Sequence, residues 1–122
     1  MFIRLVVGAN DEDHRVLTGL VTEAKILQRS GELSGSEEAL LEEHYAWLNA
    51  NLPCPPYSGS NWPQTVAAWF KDTAGEPIRR LRAIGEILED HGRIVRMLRS
   101  RNPGKIYYED DFQIVVYEWN TL

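Results

Sequence analysis

The sequence predicts a single α+β domain, a mixed sheet of about five strands with three helices mainly on one face. Three features carry that prediction. Runs dense in β-branched and aromatic residues open and close the chain, and stretches with apolar residues at helical spacing fill its middle. A capped helix set between two such β-rich runs has the pattern of a βαβ unit. The 122 residues suffice for one proper core and are too few for two.

Residues 2–7 read as a strand with Ile3, Leu5 and Val7 on one face, and the nearly unbroken apolar run implies a central place in the sheet. Gly8-Ala9-Asn10 breaks it. Asn10 caps a predicted helix over 11–29, where Asp11, Glu12 and Asp13 complement the helix dipole and Val16, Leu17, Leu20, Val21, Ala24 and Leu27 form the apolar stripe. Gly31 stops it. A second helix is predicted over 36–51, opened by a Ser34/Glu37 capping box and striped by Leu40, Leu41, His44, Tyr45, Trp47 and Leu48. The short link between the two predicts an antiparallel helix pair.

Pro53, Pro55 and Pro56 make 52–63 irregular, an ordered linker pinned by Tyr57 and Trp62. Residues 65–71 are ambiguous between strand and helix. A Thr73/Glu76 capping box, starting a third helix over 74–91, decides for strand. Residues 93–99 follow as a strand parallel to 65–71 through a right-handed crossover. Pro103-Gly104 then leads into a hairpin, 105–109 and 112–118, around an acidic break at Asp110-Asp111.

Trp69-Phe70-Lys71, and the run from Pro103 through Lys105-Ile106-Tyr107-Tyr108-Glu109-Asp110 to Gln113 and Val115, give the chain a pattern of Trp-Phe-Lys, a helix, then Pro-Gly-x-Ile-x-Tyr-Glu-Asp-x-x-Gln-x-Val. In this it resembles a group of small bacterial proteins of about the same length. Arg4-Leu5-Val6-Val7-Gly8-Ala9 and Tyr45-Ala46-Trp47 are similar too. The resemblance implies a unit of one fold and no particular chemistry.

A formal charge of −5 argues against a surface built throughout for nucleic acid or an anionic membrane. The charge is unevenly placed. Acids dominate residues 8–61 and arginines dominate 78–105. The simpler reading is an acidic helical layer over a basic layer within one domain. The sharper one is a polyanion-binding face of Arg79, Arg80, Arg82, Arg93, Arg99, Arg101 and Lys105, although the aromatic-glycine signature of sheet-based RNA binders is missing. Cys54 is the one cysteine, which excludes an intramolecular disulfide and fits a reducing compartment. The apolar opening is too short for a signal-peptide core and no run reaches membrane-spanning length, so a cytoplasmic protein without a membrane partner is expected.

The hairpin tip concentrates polar groups. With Asp110 and Asp111 as the turn pair, Tyr108 and Gln113 share one sheet face and Glu109 pairs with Arg96 or Arg99 of an adjoining strand. Arg96, Arg99, Tyr108, Glu109 and Gln113 are therefore the candidate ligand-binding set. Turn chemistry alone also accounts for the two aspartates. Trp47 and Trp69 read as core, whereas Trp62 and Trp119 read as an exposed pair suited to a protein contact. Asp11-Glu12-Asp13-His14 lacks the spacing and glycine of a calcium loop, and Glu43-His44 lacks the second histidine of a zinc protease. No metal, cofactor or catalytic residue is expected.

The chain thus reads as a non-enzymatic interaction or binding module. It would self-associate, or meet a protein partner, through a sheet edge or the Trp62/Trp119 surface. Polyanion binding through 79–105 is one alternative, and a small ligand binder or enzyme at the hairpin is the other.

Overall fold

The computed structural model describes residues 1–8, 18–63 and 65–118. Along the chain run β1 (Phe2–Val7), β2 (Thr18–Gly19), α1 (Leu20–Arg29), α2 (Gly35–Asn51), β3 (Ala67–Lys71), α3 (Gly75–Asp90), β4 (Val95–Ser100), β5 (Gly104–Glu109) and β6 (Gln113–Glu118). This is the α+β domain that the residue patterns predict. The prediction is corrected first at the opening helix. The first helix begins at Leu20, because Thr18 and Gly19 are extended and pair with Val7 and Val6. Asn10, the acidic run Asp11-Glu12-Asp13, Val16, Leu17 and Trp119 lie outside the described residues.

The second correction concerns the sheet, which is antiparallel at every described pairing rather than mixed. β4 runs along the whole of β1, from Phe2 opposite Ser100 to Val7 opposite Val95. The other side of β1 is shared, with β3 at Phe2 and Ile3 and β2 at Val6 and Val7. β6 then pairs β3 and β5 pairs β6, giving the order β4-β1-β3-β6-β5. β3 and β4 do point the same way across α3, but β1 lies between them. The reason is in β1 itself. Apolar toward the helices, and with Val6 on the other side as fully enclosed as its helix-facing neighbours, it belongs inside the sheet and separates the two strands of the βαβ unit.

The register sorts the side chains. Ile3, Leu5 and Val7 share a face with Val95, Met97 and Phe70, and this face meets the helices. Leu27, Leu41, Ile84 and Leu88 are enclosed in that layer. On the other face Ala67, Trp69, Ile114 and Val116 form a second cluster, bordered by Phe2 and Leu98. The ion pairs Arg4–Glu118 (2.9 Å) and Lys71–Glu109 (2.6 Å) lie on this face as well.

Helix ends follow local chemistry with one exception. Gly31, at φ +80°, ends α1 in the left-handed conformation that glycine adopts without strain. The Ser34/Glu37 box is complete: Ser34 Oγ accepts from the Glu37 N–H at 3.2 Å, and Ser34 N–H donates to Glu37 Oε1 at 2.9 Å. The Thr73/Glu76 box does not form. Ala74 is the N-cap of α3, and Glu76 turns instead to Arg79 and Arg80 on its own helix. α3 packs against both α1 and α2, whose backbones approach each other little and are bridged by side chains such as Gln28 and Glu42, so the expected helix pair straddles α3. That spacing creates the site described next.

Candidate functional site

Because α1 and α2 stand apart on α3, a gap remains between them above the sheet. The proline-rich strap 52–63 closes one end of it. The result is a cleft of about 830 Å³, within the range that holds small molecules. Phe70 from β3, Leu81 from α3, and Leu48 and Leu52 give it an apolar floor. Lys25, Gln28 and Arg29 come from α1, Glu42, Tyr45 and Asn49 from α2, and Cys54 and Tyr57 from the strap.

Tyr45 distinguishes this cleft from a packing defect. Its hydroxyl is buried and has no hydrogen-bond partner, a condition shared among the described residues only by the Trp69 indole N–H on the opposite sheet face. A buried phenol normally finds a partner, and leaving one unpaired costs about 1–3 kcal/mol. Burial, with a contribution from the Glu42 carboxylate, pushes its pKa above the ordinary tyrosine value and keeps it a neutral donor. The Lys25 ammonium stands 5.7 Å from the centre of its ring.

The strap is fastened at both ends to the C-terminal hairpin. At Pro53, the Gln113 side-chain amide donates to the carbonyl at 3.0 Å and to Asp110 Oδ2 at 3.1 Å. At the far end, Trp62 contacts Tyr57 edge-on, with ring centroids 5.8 Å apart, and leans on both Tyr107 and Tyr108 at 6.4 and 6.3 Å. Adjacent strand residues normally face opposite ways. Here the register shifts between Ile106 and Tyr108, and the bulge re-aims Tyr107 so that both tyrosines reach one tryptophan. Trp62 is therefore half-buried in an intramolecular aromatic cluster rather than an exposed contact.

Asp110 is the centre of the hairpin tip. Its Oδ1 accepts from the backbone N–H groups of Phe112 (2.8 Å) and Gln113 (3.1 Å), and its Oδ2 from the Tyr108 hydroxyl (2.8 Å) and the Gln113 amide. Partial burial works to raise its pKa. The hydrogen bonds from Phe112, Tyr108 and Gln113 outweigh it and hold the carboxyl below the ordinary aspartate value. The donated bond in turn pushes the Tyr108 phenol up. Tyr108 and Gln113 share a sheet face as the alternation predicts, but the register is offset: Tyr108 lies opposite Val115.

Of the five residues singled out in the sequence, only Gln113 lines the cleft. Arg96 and Arg99 sit on β4, at the opposite margin of the sheet from β5, and cannot meet the hairpin. Arg96 faces the side away from the helices, opposite Val6, and Arg99 leans on the Met97 sulfur at 3.4 Å. Glu109 takes Lys71 rather than either arginine as its partner, because β3 lies nearer to it than β4. The wider basic set is divided as well. Arg79 and Arg80 bind Glu76, Arg80 also stacks over Trp47 at 5.1 Å, and Arg93 reaches Glu32 at 3.6 Å.

Sequence reasoning missed Lys25 and Tyr45. Tyr45 has the spacing of a core residue, yet a hydroxyl on an apolar stripe raises the question of its partner, and that was the available signal. Among the described residues no group of three His, Cys, Asp or Glu side chains could hold a metal ion, and the Asp11–His14 run lies outside them. No described helix is long and apolar enough to cross a membrane. Comparison with protein-family models, with curated proteins and with solved structures found no match to this chain.

Proposed function

We propose that the protein is a non-enzymatic binding module whose ligand is a small molecule held in the cleft between α1, α2 and the strap. The observation that carries this reading is the apolar-floored cleft of about 830 Å³, beside which the Tyr45 hydroxyl lies buried without a partner. That hydroxyl is closed to solvent, so a ligand acceptor atom would relieve its cost only once the side chain shifts toward the cleft. Binding rather than turnover is supported by the lining. Neither described histidine, His44 nor His91, borders the cleft, so the Cys54 thiol has no imidazole base there and instead points at the Pro55 carbonyl at 3.6 Å. A free, exposed cysteine accords with a reducing, cytoplasmic setting.

Cys54 supplies the test. Ligand-observed NMR with a fragment library is run on the native protein and on protein alkylated at Cys54. Fragments that bind the native protein and are lost on alkylation support the cleft. An absence of binders, or binders indifferent to alkylation, overturns it.

Self-association through the sheet edge is a second reading, favoured by Ile106 standing exposed on β5, the terminal strand of the sheet. Sedimentation of the wild type and Ile106→Lys checks it. A wild type that stays monomeric at high concentration removes it.

A further inference from the structure

We infer that the occupant of the cleft is an amphipathic organic anion, an apolar or aromatic body bearing one acidic group. This rests on the cleft being the binding site proposed above. Its charged lining residues are Lys25, Arg29 and Glu42. Glu42 is engaged by the Gln28 amide at 2.7 Å, and no ion pair ties it to either cation. Arg4, Lys71, Arg79, Arg80 and Arg93 all have carboxylate partners. In a chain of net charge −5, the cleft thus presents two cations without a carboxylate partner among the described residues, Lys25 and Arg29, against the single acid Glu42.

The placement of donors points the same way. The Lys25 ammonium lies over the ring of Tyr45, and the hydroxyl of that same side chain is buried without an acceptor. An acidic group has several acceptor oxygens. It would accept charge-assisted bonds from Lys25 or Arg29, stronger than those a neutral alcohol or amide oxygen accepts. The floor of Leu48, Leu52, Phe70 and Leu81 has no polar side-chain atoms to pair with a sugar or other polyol. Of the amides lining the cleft, that of Gln28 already donates to Glu42 and that of Gln113 to Pro53 and Asp110, which leaves Asn49. An apolar body with one anionic end meets both requirements.

The experiment compares two fluorophores with the same body. 1-Anilinonaphthalene-8-sulfonate carries an anionic group, and N-phenyl-1-naphthylamine lacks it. Each is titrated into the wild type, into Lys25→Glu/Arg29→Glu, and into protein alkylated at Cys54. Lys25 and Arg29 are solvent-exposed, so the charge reversal leaves the fold intact, which circular dichroism verifies. The expected result is sulfonate binding tighter than neutral binding by roughly fivefold or more, lost on charge reversal while neutral binding is retained. Equal affinities in the wild type, both unchanged by charge reversal and both lost on alkylation, overturn the anion and leave the cleft standing. No uptake of either dye, or uptake indifferent to alkylation, overturns the cleft reading and this inference with it.

Discussion

Replacing Asp110 tests whether one carboxylate holds the hairpin tip and, through Gln113, the strap. In Asp110→Ala four hydrogen bonds lose their acceptor. The Gln113 amide keeps Pro53, and the Tyr108 hydroxyl is left without its acceptor, as are the N–H groups of Phe112 and Gln113. With charged-acceptor bonds at about 1.5–3 kcal/mol and partial replacement by water, the loss is about 3 kcal/mol, a fall in melting temperature of roughly 10 °C. Asp110→Asn is more diagnostic. Its oxygen still accepts from the two backbone groups, while its NH2 faces the Gln113 amide, donor against donor, so about half the loss is expected.

The pH dependence gives the sign. The folded-state pKa of Asp110 lies below its ordinary value of 3.8, so its stabilisation is complete well above that value and disappears as pH falls through the depressed pKa. Asparagine does not titrate. The deficit of Asp110→Asn in urea denaturation should be full near neutrality and shrink below about pH 4. A deficit that is constant with pH, or smaller than about 0.5 kcal/mol at neutrality, refutes the network as a source of stability.

Three further substitutions probe other parts of the argument. In Gly104→Ala the new Cβ falls 2.8 Å from Glu118 Cα and closer still to the Tyr117 carbonyl, backbone that cannot yield; about 3 kcal/mol of destabilisation or loss of soluble protein is expected in thermal melts. Ser34→Ala removes one half of the capping box on α2 and should cost about 1 kcal/mol in urea denaturation, with Ser34→Asp close to wild type. Tyr45→Phe removes the unpaired hydroxyl and should raise ligand-free stability by about 1 kcal/mol in calorimetry while reducing stabilisation by any cleft ligand; a destabilised variant would mean that the hydroxyl already has a partner.

The fold was legible where periodicity alone decides. β-rich runs became strands with boundaries moved by a residue or two, and Ser34/Glu37 capped its helix as spacing required. Strand partners were a different matter. Nothing local to Arg96 or Glu109 says which strand will lie beside it, and the insertion of β1 between β3 and β4 placed the two residues four strands apart. Thr73 illustrates competition, since Glu76 had two arginines within a turn as better partners than a backbone N–H. The bulge at Tyr107 was invisible because Ile106, Tyr107 and Tyr108 are all good strand formers in any register. The cleft was hidden for a related reason: it depends on how far α1 and α2 stand apart on α3, a sum over many contacts that no short stretch encodes.

Fastening the strap to β6 at Pro53 and to β5 at Trp62 has a kinetic consequence. The anchors are separated by 60 residues at the Gln113 end, so the strap cannot settle before the hairpin has formed and docked. Conversely, loosening the cleft wall releases two constraints on the hairpin at once. Amide hydrogen exchange in β5 and β6 should therefore report on occupancy of a cleft those strands barely touch, slowing when the strap is held and quickening when Cys54 is alkylated.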